Sequence, residues 1–309
     1  MEIWNSLQEV PSDFGPVALT IGKYDAIHLG HAYLLNQLTD AAGKHGIKSV
    51  VVTFNQHPLE VLKPGGAPLP ILGARQKNHR IEECGIDAVL NLDFSPELAA
   101  MPAETFVKSI LVDTLKAKSV MVGEGFRFGA GATGDCQMLA SLASQFGFEF
   151  KAVERYILDG TVVSTSAIRN ALDAGDIAHA ARLLGRPHLT TGLVEHGLKI
   201  GRTIGFPTAN ISREAEGYLP LDGVYAGWMH VDGQRLPTAI SIGINETFQA
   251  VPRLAEAFVL DHTGLDLYDK LVTLEYVAFV RKAEKFTGVE DLVAEINRDI
   301  EKIRVALEI

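Results

Sequence analysis

The feature that most limits how this chain can fold is a change of periodicity near residue 186. Before it, short apolar, β-branched runs at residues 17–21, 49–54, 88–92, 119–122 and 148–153 alternate with helical patterns at residues 31–44 and 103–115. Strands separated by helices form βαβ units around a parallel sheet that is covered on both faces. An Ala-rich helical stretch, residues 166–184, then ends at Gly185-Arg186-Pro187, a helix stop. Beyond it come short alternating runs at residues 224–230, 238–242, 257–260 and 271–277, punctuated by Gly, Asp and Pro, which predict an antiparallel barrel or sandwich. The last stretch, 289–307, returns to helical spacing, with Leu292, Ile296, Ile300, Ile303 and Leu307 on one face. The expected architecture is an α/β, Rossmann-like parallel sheet over residues 1–185, followed by an antiparallel β-barrel with a terminal helix over 186–309.

A chain of 309 residues is long enough for two such domains, each with its own core. With 28 Lys+Arg against 38 Asp+Glu the formal charge is −10, which argues against a nucleic-acid partner but allows small anionic ligands held by local cations, helix N-termini and Mg²⁺. Cys84 and Cys136 lie in no CxxC pattern and read as reduced thiols. The first residues lack a basic and then apolar leader, and no apolar run approaches the roughly 20 residues that span a bilayer. A cytoplasmic protein with small-molecule substrates and no membrane partner is expected, and a homo-oligomer is left open.

Ligands of open α/β sheets bind outside the carboxyl ends of the strands, so the loops after residues 21, 54 and 122 are where chemistry is expected. The first runs Gly22-Lys23-Tyr24-Asp25-Ala26-Ile27-His28-Leu29-Gly30-His31 into a helix. In this HxGH step both imidazoles can face a phosphate at the helix N-terminus, the layout of a nucleotidyltransferase, and Gly30 lets the ligand approach the backbone. Two incidental loop histidines would give the same string. Phe54-Asn55-Gln56-His57-Pro58 ends the second strand, and Val163-Ser164-Thr165-Ser166-Ala167-Ile168-Arg169 opens a helix with hydroxyls and a cation suited to a triphosphate, although a plain N-cap also accounts for it. In the second half, Gly201-Arg202-Thr203-Ile204-Gly205-Phe206-Pro207-Thr208-Ala209-Asn210 combines glycines for close phosphate contact with a hydroxyl and an amide for Mg²⁺. Glu256 sits among apolar neighbours as a candidate to take a proton from an alcohol.

Taken together these strings resemble the bacterial-type bifunctional riboflavin kinase/FMN adenylyltransferase (FAD synthetase) family. Its patterns read G-x-F-D-G-x-H-x-G-H, F-x-P-H-P, V-G-x-(Asp or Asn)-F-x-F-G and I-S-S-T-x-x-R. The chain matches them at Gly22, Asp25, His28, Gly30 and His31, at Phe54, His57 and Pro58, at Val122, Gly123, Phe126, Phe128 and Gly129, and at Ser164 and Arg169. The GxxxGFPTAN run is the family's kinase signature, complete here, and Glu256 falls in its E-x-(Phe or His)-x-L-D segment, followed by Asp266-Leu267-Tyr268 and Arg281-Lys282-Ala283-Glu284-Lys285-Phe286.

The resemblance implies a first ATP held by Gly22, Asp25, His28, Gly30, His31, Ser164, Thr165 and Arg169, with His28 and His31 catalytic. It implies FMN against His57, Pro58, Gly123, Phe126 and Phe128. A second ATP would be held by Gly201, Arg202, Gly205, Pro207, Thr208 and Asn210, the last two also binding Mg²⁺, with Glu256 as catalytic base. Riboflavin, FMN and FAD are the implied substrates and products. Departures stand at Tyr24, Ala26, Gln56, Gly125, Asp269 and Asn245-Glu246-Thr247-Phe248, where the family has N-P-T-F. Gly125 removes a hydrogen-bond partner for the isoalloxazine ring. The alternatives weighed are a riboflavin kinase whose N-terminal domain has drifted, a non-catalytic flavin-binding protein, and a cytidylyltransferase, which leaves the PTAN run without a purpose.

Overall fold

A computed structural model describes residues 1–197, 200–243, 253–262 and 264–309. The chain divides into two compact units, one of residues 1–69 and 74–163, the other of residues 70–73 and 164–309.

The first unit holds strands β1 (Glu2–Trp4), β2 (Val17–Ile21), β3 (Lys48–Phe54), β4 (Ala88–Leu92), β5 (Ala117–Gly123) and β6 (Glu149–Val153). They pair in the order β1-β4-β3-β2-β5-β6, every pair parallel. β2 and β4 are buried along their whole length, as strands covered on both faces must be, which is why they read as near-continuous apolar runs interrupted only by Thr20 and Asn91. Helices α1 (Leu29–His45), α2 (Pro58–Leu62), α3 (Ala74–Glu83), α4 (Pro96–Ala99), α5 (Ala103–Phe106) and α6 (Cys136–Phe146) connect them. α1 buries Leu34, Leu35, Leu38 and Ala42 along one stripe and stops at Gly46, whose φ of 62° suits a residue without Cβ. The helix expected over 103–115 turns π-helical from Val107 to Thr114, with the Leu115 N–H bonding the Ile110 carbonyl. A short hairpin, β7 (Ile157–Leu158) and β8 (Thr161–Val162), closes the unit.

In the second unit the single helical stretch expected over 166–184 is two helices, α7 (Thr165–Asp173) and α8 (Ile177–Leu184). The break is chemical: Gly175 takes a φ of 75°, and the Asp176 side chain accepts the His179 N–H to start α8 afresh. Six strands follow, β9 (His188–Glu195), β10 (Ala209–Ile211), β11 (Gly223–Val231), β12 (Gln234–Gly243), β13 (Leu254–Val259) and β14 (Leu271–Lys282), with α9 (Ile200–Thr203) before β10. They form a closed antiparallel barrel in the order β10-β13-β12-β11-β14-β9. Tyr225, Met229, Ile240, Val272, Leu274 and Tyr276 fill its interior. The outer positions Val224, Trp228, Ala239 and Phe258 pack with Ile300, Ile303 and Leu307 of the terminal helix α10 (Val289–Leu307), the apolar face anticipated from its spacing. No helix among the described residues is long and apolar enough to cross a membrane.

Candidate active sites

At the carboxyl end of β2 the chain makes a tight turn that orders two imidazoles. Gly22 donates its N–H to the Val52 carbonyl, and a Cβ there would lie 2.9 Å from the Tyr24 ring. Tyr24 and Ile27 adopt left-handed backbone, φ 50° and 41°, which costs energy for residues with a Cβ and needs a tight surround. That surround is visible: Ala26 is fully buried, and the buried Tyr24 hydroxyl lies 2.7 Å from the Thr20 hydroxyl. Burial pushes the Tyr24 phenol's pKa far up, so it stays neutral.

His28 then caps α1. Its Nδ1 accepts the His31 N–H at 3.1 Å, which leaves the ring proton of a neutral imidazole on Nε2 as a donor. The two rings stack at 3.7 Å with 11° between planes, at the positive end of a 17-residue helix. Gly30 has a steric role here, because a Cβ would press on the His28 ring at 3.1 Å and on Tyr156 at 3.3 Å.

The neighbouring strands bring up the other expected residues of this unit. His57 caps α2 through Nδ1, Pro58 fills the first helical position, and His57 Nε2 lies 3.4 Å from Lys23 Nζ. The Gln56 amide donates to the Phe94 carbonyl. After β5, the Phe126 N–H closes a turn onto the Gly123 carbonyl, and the Phe126 and Phe128 rings stack at 5.6 Å. Phe128 is a core residue, packed near Phe106, while Phe126 is partly buried against the same core.

Lys77 escaped notice in the sequence, where it is one polar residue in a polar helix. It is half-buried, its ammonium donates to the Phe54 carbonyl at 3.0 Å, and desolvation lowers its pKa against the pull of Asp25. Ser164, Thr165 and Arg169 belong to the second unit. Ser164 Oγ accepts the Ala167 N–H as the α7 cap, Thr165 opens the helix, and the Arg169 guanidinium lies 5.2 Å over the Tyr218 ring.

The second unit builds its site on the outer face of the barrel. In α9 and the turn after it, a Cβ on Gly201 would strike the Phe206 carbonyl at 2.3 Å, the Phe206 N–H bonds back to Gly201 at 2.8 Å, and Gly205 has φ 91°. Both glycines are therefore required by the turn, which leaves Arg202 and Pro207 exposed. Ala209 and Ile211 point inward, so Thr208 and Asn210 point outward. β13 does the same with Ala255 and Ala257 inside and Glu256 outside, and Asn210 pairs with Glu256 in the register. Thr208 Oγ1 donates to Glu256 Oε2 at 3.1 Å.

Thr208 and Glu256 open onto a cavity of about 240 Å³ also lined by Gly201, Phe206, Ser241, Phe258, Arg281 and Asp299 among others. Arg281 grips Asp299 of α10 with Nε at 2.9 and 3.0 Å. Burial pushes the Asp299 carboxyl pKa up while Arg281 holds it down. Arg281 was visible as the first residue of the R-x-x-x-K-F string; Asp299 sits on an amphipathic helix and carried no signal. Asn245-Glu246-Thr247-Phe248 lies outside the described residues.

The donors at the barrel site are a hydroxyl, an amide and a carboxylate, all oxygen ligands of the hard type that Mg²⁺ takes. Among the described residues no cluster of three or more His, Cys, Asp or Glu could form a complete metal cage.

A parallel sheet with stacked imidazoles at a helix N-terminus, joined to a barrel with a glycine turn and an outward carboxylate, defines a two-unit enzyme of phosphate chemistry. The family model described as FAD synthetase matches residues 10–167, and that described as riboflavin kinase matches residues 184–307. The chain is 34% identical over 296 residues to the bifunctional riboflavin kinase/FMN adenylyltransferase of Escherichia coli (strain K12), covering 96% of this chain and 93% of that protein. It is 36% identical over 305 residues to the protein of the same name from Pseudomonas fluorescens, covering 98% and 97%. A crystal structure described as a macrolide-efflux protein from Streptococcus pneumoniae superposes with a TM-score of 0.86 at 28% identity, covering 98% of both chains. The chain belongs to the bifunctional riboflavin kinase/FMN adenylyltransferase family.

Proposed function

We propose that this protein phosphorylates riboflavin to FMN with ATP and then adenylylates FMN to FAD, with residues 186–309 responsible for the first reaction and residues 1–185 for the second. The observation that carries the reading is the Thr208 to Glu256 hydrogen bond beside the glycine turn, a base and a phosphate-loop hydroxyl in one pocket.

In the kinase reaction the ribityl 5′-hydroxyl attacks the γ-phosphorus of ATP. Glu256 accepts the hydroxyl proton, the new O–P bond forms, and ADP leaves with the bridging oxygen. Gly201, Arg202, Gly205 and Pro207 shape the phosphate turn, and Thr208 and Asn210 hold Mg-ATP. The metal neutralises charge on the phosphates when bound.

In the adenylyltransferase reaction a phosphate oxygen of FMN attacks the α-phosphorus of a second ATP. The bond to the β-phosphate oxygen breaks, pyrophosphate leaves, and no covalent enzyme intermediate is needed. The donor at His28 Nε2, with His31, steadies charge on the α-phosphate, helped by Gly22, Asp25, Gly30 and the α1 N-terminus. Ser164, Thr165 and Arg169 hold the triphosphate, while His57, Pro58, Gly123, Phe126 and Phe128 form the FMN side. The use of ATP and two cysteines outside any disulfide fit a cytoplasmic setting.

The test is to incubate the purified protein with riboflavin and Mg-ATP and resolve FMN from FAD by chromatography. Both products are expected. FMN alone would leave a kinase with a drifted first domain, and neither product would overturn the enzyme reading.

A further inference from the structure

The loop after β5 carries no side chain at Gly125, although the backbone there is not left-handed and does not call for glycine. β5 and β6 run parallel with Gly123 opposite Val153, so Gly125 and Arg155 each lie two residues past a paired position on adjacent strands. They arrive side by side: the group within 4 Å of a Cβ built on Gly125 is the Arg155 guanidinium, at 3.7 Å. Arg155 Nε is held by Glu124 Oε1 at 3.1 Å, and both side chains are well exposed, at 63% and 46%. A solvated pair of this kind adds little to stability, so folding does not explain the arrangement. β2, whose carboxyl end leads through the turn to the two imidazoles at the start of α1, lies next to β5 in the sheet, so the guanidinium sits at the same carboxyl edge.

We propose that Arg155 binds FMN through the space that Gly125 leaves open, standing in for a polar side chain at position 125. A guanidinium suits a flavin because its plane stacks on a flat ring and its fork donates to a ring carbonyl. Glu124 orients the fork by taking Nε, and the terminal nitrogen lies over Gly125. Arg155 is thus the specificity-determining contact for the isoalloxazine ring. The inference rests on the adenylyltransferase reading of the first domain.

The experiment compares wild type, Arg155→Met and the double variant Arg155→Met/Gly125→Asn. It measures KM for FMN and kcat in FAD formation, with riboflavin phosphorylation and the melting temperature of the same preparations as controls. Arg155→Met is expected to raise KM for FMN about tenfold, the loss of one charge-assisted hydrogen bond, with kcat nearly unchanged. Gly125→Asn in that background is expected to recover most of the loss, since the site has room for the side chain. A wild-type KM in Arg155→Met, or a loss confined to kcat, overturns the proposal. No recovery in the double variant overturns the claim that Arg155 stands in for position 125. A wild-type protein that makes no FAD overturns the adenylyltransferase reading and this proposal with it, whereas FAD formation with an unmoved KM removes the proposal alone.

Discussion

The two units place their functional side chains by opposite means. In the sheet unit His28, His57 and Phe126 come from three separate loops, each capped or braced on its own, so one loop can change without moving the others. In the barrel unit Thr208, Asn210 and Glu256 are set by one antiparallel register, and slipping that register by a residue would turn the trio inward. A loop-built site tolerates departures such as Ala26, Gln56 and Gly125, while a register-built site keeps its string intact. The barrel unit's own departures, Glu246 and Asp269, fall outside the string from Gly201 to Asn210 and the segment of Glu256.

The sharpest way to break this contrast is to remove chemistry from one unit and read the other. Glu256→Gln should lower riboflavin phosphorylation about 10³-fold, the loss of a positioned base, while FMN-to-FAD conversion is unchanged in a coupled pyrophosphate assay. Loss of both activities in a folded variant would end the division of labour.

The barrel core should also be the more acid-sensitive. His188 is buried against Tyr218 and Tyr276, and burial pushes its pKa down from 6.5 to about 4. The unfolded chain therefore takes up a proton from about pH 6.5 downward while the folded barrel resists until about pH 4. Stability present above pH 6.5 is lost across that window, by about 3 kcal/mol for this group. Urea unfolding of the barrel at stepped pH should show the slope, and His188→Gln should flatten it.

His28→Ala should mirror the first experiment, lowering FAD formation about 10²-fold and sparing the kinase. It should also cost about 1 kcal/mol in thermal stability, because the α1 cap is lost. The smallest effect expected is from Tyr24→Phe, which strands the buried Thr20 hydroxyl and should cost about 1 kcal/mol, read from denaturant midpoints.

What the sequence revealed follows from the same contrast. β2, β4 and α10 were legible to the residue because a mostly apolar run or a clean helical stripe stands out from its flanks. β1 was not, since three residues at a sheet edge carry no period. β9 was hidden by Gly192, whose missing side chain leaves room for Ile211 and Ala215, and β10 by its overlap with the PTAN string. The break at Gly175 was obscured by good helix formers on either side. Candidate site residues on strings were readable one by one. Contacts made across strands, such as Thr208 to Glu256 or Gly125 to Arg155, were not, because register is absent from a linear pattern.

The closure of the barrel by the β9 and β10 pairing has a consequence for how molecules meet in a crowded solution. A ring of strands offers no free row of backbone donors and acceptors to another chain, whereas the sheet of the first unit ends in two open rows, β1 and β6. The first is only three residues long, and the second carries Glu149 and Lys151, whose charges make end-to-end addition of a foreign strand costly. Neutralising those two residues would remove the charges that guard the longer of these edges against another strand.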